Sequence, residues 1–207
     1  MTRAPITACL GLDQAARTGW AIGLVGSGRI VAHGVAHKAQ QRKDVVELAL
    51  AHAGGDPRQL LVMFEQHDCM ALDRLTAKDH RTKRTGRYFV QRGPKQIHGM
   101  GKAYGRWEER LDDVGHPERL RFEAEPRAWR RRVLGNQWAS KEDAVLWAKA
   151  YTHEDIRDDN EAEGLGLTVF AAIDGVAMLE ATKSKARMVA RARREAAAQM
   201  ELGEAAQ

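Results

Sequence analysis

The chain has 207 residues, of which 43% are apolar and 29% charged, and a net charge of +5 at neutral pH; this is ordinary globular usage, enough for one compact domain with a tail. No apolar stretch approaches the roughly 20 residues that span a membrane, and two cysteines, Cys9 and Cys69, make neither a disulfide framework nor a zinc-ligand pattern, so both are read as free thiols. The segment Met1 to Pro5 runs straight into a strand-like stretch without signal-peptide features, which points to the cytoplasm, and the basic balance fits an anionic partner such as nucleic acid.

Ile6 to Asp13 is almost continuously apolar with small residues, the pattern of a strand buried on both faces. Thr18 to Val25, the turn signal Gly26-Ser27-Gly28 and Arg29 to Val35 complete a three-stranded antiparallel meander. Asp44 to Ala51 has helical spacing and stops at Gly54-Gly55-Asp56-Pro57, and Leu60 to Glu65 is a fourth strand. Residues 68–98 form a cationic segment with little apolar periodicity, expected as a mobile loop or loosely formed insertion. It carries Arg74, Lys78, Arg81, Lys83, Arg84, Arg87, Arg92 and Lys95.

Gly99 to Val114 is helical through Met100, Tyr104, Trp107 and Leu111, and Arg119 to Ala124 is a short fifth strand. Pro126 opens a helix at its first turn, Gly135-Asn136 interrupts it, and Ser140 with Asp143 three residues on caps the next helix, Lys141 to Tyr151. A last helix starts near Asp158 or Asp159. Its first half is apolar on most sides, and Gly164 and Gly166 within it call for close packing against the sheet. From Lys183 the composition turns to Ala, Arg, Lys and Glu. The domain is therefore placed at 1–182 and an exposed helix or tail at 183–207. Three meander strands followed by alternating helices and strands give an α/β layout, a five-stranded mixed sheet with helices on both faces. Trp20, Trp129, Trp138 and Trp147 are assigned to the core.

Asp13 and Glu65 each end an apolar strand, and Asp158-Asp159-Asn160-Glu161-Ala162-Glu163 opens the last helix. Ligands of α/β sheets gather outside strand ends. If strands one and four are neighbours, Asp13 and Glu65 lie side by side, and Asp159 and Glu163, four apart on one helix face, can join them. Taken singly, each acid reads equally well as a turn or capping residue; together they repel one another unless divalent cations with hard oxygen ligands, Mg²⁺ or Mn²⁺, neutralise them. Two such ions roughly 3.5–4 Å apart suit in-line attack of water on a phosphodiester.

These residues resemble the RuvC-like Holliday junction resolvases of the RNase H-like superfamily, particularly their phage relatives. Gly11-Leu12-Asp13 with Thr18-Gly19-Trp20-Ala21 is similar to the family's first motif and Phe64-Glu65 to its second. Pro126-Arg127-Ala128-Trp129-Arg130 followed by Lys141 is similar to the segment after strand five, and Asp159 to Leu165 to the closing motif. The resemblance covers about Ile6 to Gly175. It implies an RNase H-like fold, metal ligation by Asp13, Glu65 and Glu163, with Asn160 through its carbonyl oxygen or Asp159 as a further ligand, and Lys141 close to the phosphates. It also implies a homodimer that makes paired nicks in a four-way DNA junction, a metal-dependent endodeoxyribonuclease. Glu163 stands where the family usually has aspartate.

The basic segment 74–95 and the cluster Arg127, Arg130, Arg131 and Arg132 fit phosphate contacts. Tyr88 and Phe89 either stack on unpaired bases or anchor the loop, and His67 is close enough in sequence to Glu65 to support it. Two other readings keep the fold: a nuclease for flaps and forks, and a DNA-binding module without chemistry. An actin-like or sugar-kinase-like ATPase would need a second similar domain and further phosphate-binding glycine loops, which this sequence lacks.

Overall fold

The apolar run at the start of the chain becomes the centre of the sheet. In the computed structural model, which describes residues 5–15, 17–66, 72–78, 85–91 and 94–205, with side chains omitted for 67–97, 100, 183, 185–187 and 189–207, strand β1 (Ala8–Asp13) is buried along its whole length. It pairs antiparallel with β2 (Thr18–Leu24), which pairs antiparallel with β3 (Ile30–Ala36). On its other side β1 runs parallel to β4 (Leu60–Glu65), and β4 runs parallel to β7 (Arg121–Ala124). The sheet order is β3-β2-β1-β4-β7, so the five-stranded mixed sheet is as expected, and strands one and four are neighbours, which is the condition for Asp13 and Glu65 to lie side by side.

Helices cover both faces. The side chains of Ala8, Leu10, Leu12, Leu60, Val62 and Phe64 meet Val45, Val46 and Ala49 of α1 (Ala39–His52) and Trp107 and Leu111 of α2 (Pro94–Asp113). The alternate residues, Cys9, Leu61 and Met63, meet Trp129 of α3 (Pro126–Val133), Ala144 and Ala148 of α4 (Lys141–Thr152) and Ala162, Leu165 and Phe170 of α5 (Asp159–Ala205). Strand side chains alternate with a period of two. Counting on from Cys9 and Leu61 therefore puts Asp13 and Glu65 on the same face, the one that α5 covers.

The structure departs from the sequence reading in three places. Within the segment expected as a mobile loop, Leu72–Lys78 (β5) and Thr85–Gln91 (β6) pair as an antiparallel hairpin, and α2 begins at Pro94 rather than Gly99. Such a hairpin satisfies its backbone by pairing and needs no alternating apolar face, so periodicity did not reveal it. Residues Asp159–Thr182 are long and apolar enough in composition to cross a membrane, contrary to the opening estimate, but most of the span is buried against the sheet. Finally, Trp138 is 59% exposed, while Trp129 is fully buried.

The start of α5 lies unusually close to β1 and β2. A Cβ on Gly11 would sit 2.4 Å from Thr168 Oγ1, one on Gly19 would sit 1.6 Å from the Asn160 carbonyl oxygen, and one on Gly164 would sit 2.7 Å from the Gly19 backbone. Thr168, wholly buried, stitches this contact: its hydroxyl oxygen accepts from Gly11 N–H at 3.0 Å and lies 2.8 Å from the Ala21 carbonyl and 2.9 Å from the Gly164 carbonyl. Gly164 of the helix is thus offset by backbone contact that no larger residue permits, and Gly166 by the Trp129 ring, 2.5 Å from where its Cβ would sit.

Candidate active site

Asp13 ends β1 and Glu65 ends β4, one residue past the Leu12–Phe64 register pair. Glu163 lies in the second turn of α5, over the same end of the sheet. Carboxylate oxygens of the three lie within 4.8 Å of one another, and the residues are 3%, 6% and 2% exposed. Three buried like charges so close cannot all ionise without compensation.

Part of that compensation is visible. The Arg130 guanidinium donates to Glu163 Oε1, and Lys141 Nζ lies 3.4 Å from Glu163 Oε2 while donating to Asp159 Oδ2 at 2.6 Å. Trp129 Nε1 donates to Glu65 Oε1 at 3.0 Å, and Gln14 Nε2 donates to the Glu65 carbonyl at 2.7 Å. Among the described residues no donor reaches the Asp13 carboxylate. Burial, and then Glu65 and Glu163, push Asp13 well above the usual carboxylate range. Burial and Glu163 push Glu65 up to about 7. Burial works against the charge on Lys141, but Asp159, Glu163 and Asp13 outweigh it and hold its pKa above the ordinary lysine value. The hydrogen bond from Lys141 lowers Asp159.

Four carboxylates here face two cations. The deficit is concentrated at Asp13 and Glu65 and the donors are hard oxygens, so the residues fit a divalent cation.

The acids named from the sequence thus divide. Asp13, Glu65 and Glu163 converge. Asp159 lies one turn before Glu163 with a side chain 44% exposed and bound to Lys141. Asn160 is half-buried, with its backbone carbonyl against Gly19. Asp158 caps α5, accepting from the N–H groups of Asn160 and Glu161, and pairs with Arg17. Lys141 stands where α4 begins, fixed by the reciprocal Ser140–Asp143 capping bonds that the sequence predicts. Arg130, expected to meet phosphate, is turned inward to Glu163, whereas Arg131 is exposed. Arg81, Lys83, Arg84, Arg92, His67 and Cys69 lie outside the described residues, as do the side chains of Arg74, Lys78, Arg87, Lys95, Tyr88 and Phe89. Sequence reasoning missed Trp129 as the partner of Glu65; the signal was its indole N–H, which a buried tryptophan must satisfy.

By sequence, no family model and no curated protein matches this chain. By structure, it is similar to Thermus thermophilus RuvC in complex with a Holliday junction substrate, with a TM-score of 0.56, 16% identity, and coverage of 82% of this chain and 94% of that one. A second T. thermophilus RuvC structure gives a TM-score of 0.54 at 15% identity, covering 83% of this chain and 97% of the other. The fold is that of RuvC. At this identity the likeness is one of architecture: an RNase H-like sheet carrying, at the joint end of its two central parallel strands, the buried acids described above. Asp13 and Glu65 stand at the carboxyl ends of β1 and β4, the place where α/β sheets bind ligands.

Proposed function

We propose that this protein is a divalent-metal-dependent endonuclease acting on branched DNA, and that its substrate is the four-way junction, cut by paired nicks from a homodimer in the cytoplasm. The observation that carries the reading is the convergence of Asp13, Glu65 and Glu163, buried and underneutralised, at one end of a RuvC-like sheet. In this reading the three hold Mg²⁺ or Mn²⁺, with Asp159 and Asn160 the further oxygen donors available to a second ion. Bound divalent cations supply charge neutralisation and activate water for attack on a phosphodiester. The chain's own groups do the rest. Trp129 orients the Glu65 carboxylate, Arg130 steadies Glu163, and the half-exposed Lys141 exchanges Asp159 for an incoming phosphate. Arg127 and Arg131 of α3 and the basic hairpin neutralise the flanking backbone, while Arg132 is held by Asp174.

The Arg130–Glu163 ion pair favours one second reading, a DNA-binding module without chemistry, because an arginine that satisfies the third carboxylate competes with a cation. The test is cleavage of a labelled four-way junction beside matched duplex, fork and flap DNA, with Mg²⁺, Mn²⁺ or EDTA. Wild type is expected to make paired, metal-dependent nicks in the junction. Asp13→Asn should bind DNA but cut at least about 100-fold more slowly, since even supporting groups around a metal are worth 10–100-fold. Equal cutting of every branched substrate points to the broader nuclease; binding without cutting in any metal points to the module.

A further inference from the structure

In the loop that joins α3 to α4, a large aromatic side chain stands in solvent. Trp138 is 59% exposed, yet the turn that carries it is firmly built. Gly135, with φ +74°, ends the α3 segment. Asn136 Oδ1 accepts from Trp138 N–H at 2.9 Å, and the Asn136 carbonyl accepts from Ala139 N–H at 3.1 Å. Ala139 is buried and Ser140 caps α4. The ring is therefore held outward by both flanks of its loop. Arg127, itself exposed, lays its guanidinium 4.5 Å from the ring centroid, which covers one face of the indole with a cation.

The position ties this pair to the site. Arg127 is one helical turn before Arg130, which bonds Glu163, and Lys141, three residues after Trp138, bonds Asp159 and approaches Glu163. Three residues reach at most about 11 Å, so the indole is anchored within a few nucleotides' length of the acids on either strand direction. Arg127 against the ring and Lys141 three residues on are cations that suit a phosphate backbone rather than an apolar protein surface.

We propose that Trp138, backed by Arg127, is a stacking platform for an unpaired nucleobase of the DNA strand that enters the carboxylate site. This rests on the nuclease reading above. Every base offers a π-face, so the platform selects unstacked bases, which branched DNA exposes and duplex does not, without reading sequence. Arginine behind the ring orients the indole and neutralises the adjoining phosphate.

The test is DNA binding in EDTA, where no cutting occurs, by wild type, Trp138→Ala and Trp138→Phe, using duplex, gapped DNA and a four-way junction. The gapped DNA carries 2-aminopurine in its single-stranded gap and the junction carries it at the branch point. Trp138→Ala should weaken binding to gapped and branched DNA about 5- to 150-fold and leave duplex affinity and the melting curve unchanged. Trp138→Phe should keep most of the affinity. Wild type and Trp138→Phe should quench 2-aminopurine and Trp138→Ala should not. The platform is overturned if Trp138→Ala binds branched DNA as wild type does, if it loses duplex and branched DNA equally, or if it splits a dimer in sedimentation at unchanged DNA affinity, which would make the ring a contact with a second copy. If wild type binds no DNA of any kind, the nuclease reading itself fails.

Discussion

Glu65 shows how the site's chemistry is linked to stability. Its pKa in the folded protein is about 7 against an ordinary value of 4.5, so between those two pH values the folded state holds a proton that the unfolded state has released. Stability from this group is full below pH 4.5 and is lost as pH rises through 7, a difference on the order of 3 kcal/mol. His116, which burial lowers to about 4, acts with the opposite sign and is lost as pH falls from 6.5. A single melting curve would mix the two. Glu65→Gln separates them, because it keeps the shape and removes only the first. In EDTA, urea unfolding should find Glu65→Gln close to wild type at pH 5 and more stable than wild type at pH 8; equal stabilities at both would mean Glu65 ionises freely. At this scale the sequence is informative where a residue type conflicts with its setting. Asp13 and Glu65 end apolar strands, so their role is legible. Asp159 and Glu163 look alike as an i, i+4 pair, and only the Lys141 contact, set by how α4 meets α5, distinguishes them. Trp138 sits among apolar and small neighbours in sequence, which says nothing of the loop that turns it outward.

The element that aims Glu163 is the first turns of α5, and what places them is backbone contact. Gly19→Ala would set a methyl group 1.6 Å from the Asn160 carbonyl, and neither backbone can yield without lifting the helix end that bears the acid. A loss of stability of about 1–3 kcal/mol or more is expected, with loss of cation affinity beyond what the fall in stability explains. Gly105→Ala, in α2 with open space around it, should instead stabilise by about 0.5–1 kcal/mol. Chemical denaturation of the two variants checks both signs. Gly164 announced this contact in sequence, because glycine in a buried helix needs a reason, whereas the reason for Gly166 is the Trp129 ring packed against it. The β5–β6 hairpin gave no such signal, since its strands pair with each other rather than against the core.

For the molecule as a whole, two acids of the central sheet and one of α5 meet at one end of the sheet while the chain carries a net charge of +5, so cationic surroundings and an acidic centre coexist. That combination suits a polyanion brought to a cation, and the fold shared with RuvC supplies the frame. The strands and the antiparallel meander were legible because each strand's apolar pattern and its turn residues agree, whereas the parallel pairing of strands one and four is set by tertiary packing; the cation itself leaves no trace in a sequence beyond the acids that would hold it. The most direct measurement is a calorimetric titration of Mn²⁺ into metal-stripped protein at pH 6 and pH 8, in buffers of different ionisation enthalpy, with wild type and Asp13→Asn. Because Glu65 holds its proton up to about pH 7 and Asp13 is pushed above the usual carboxylate range, wild type should bind Mn²⁺ more tightly at pH 8, should release more protons on binding at pH 6, and should lose most of its affinity in Asp13→Asn. Absence of Mn²⁺ binding, or equal binding by the variant, would contradict the account.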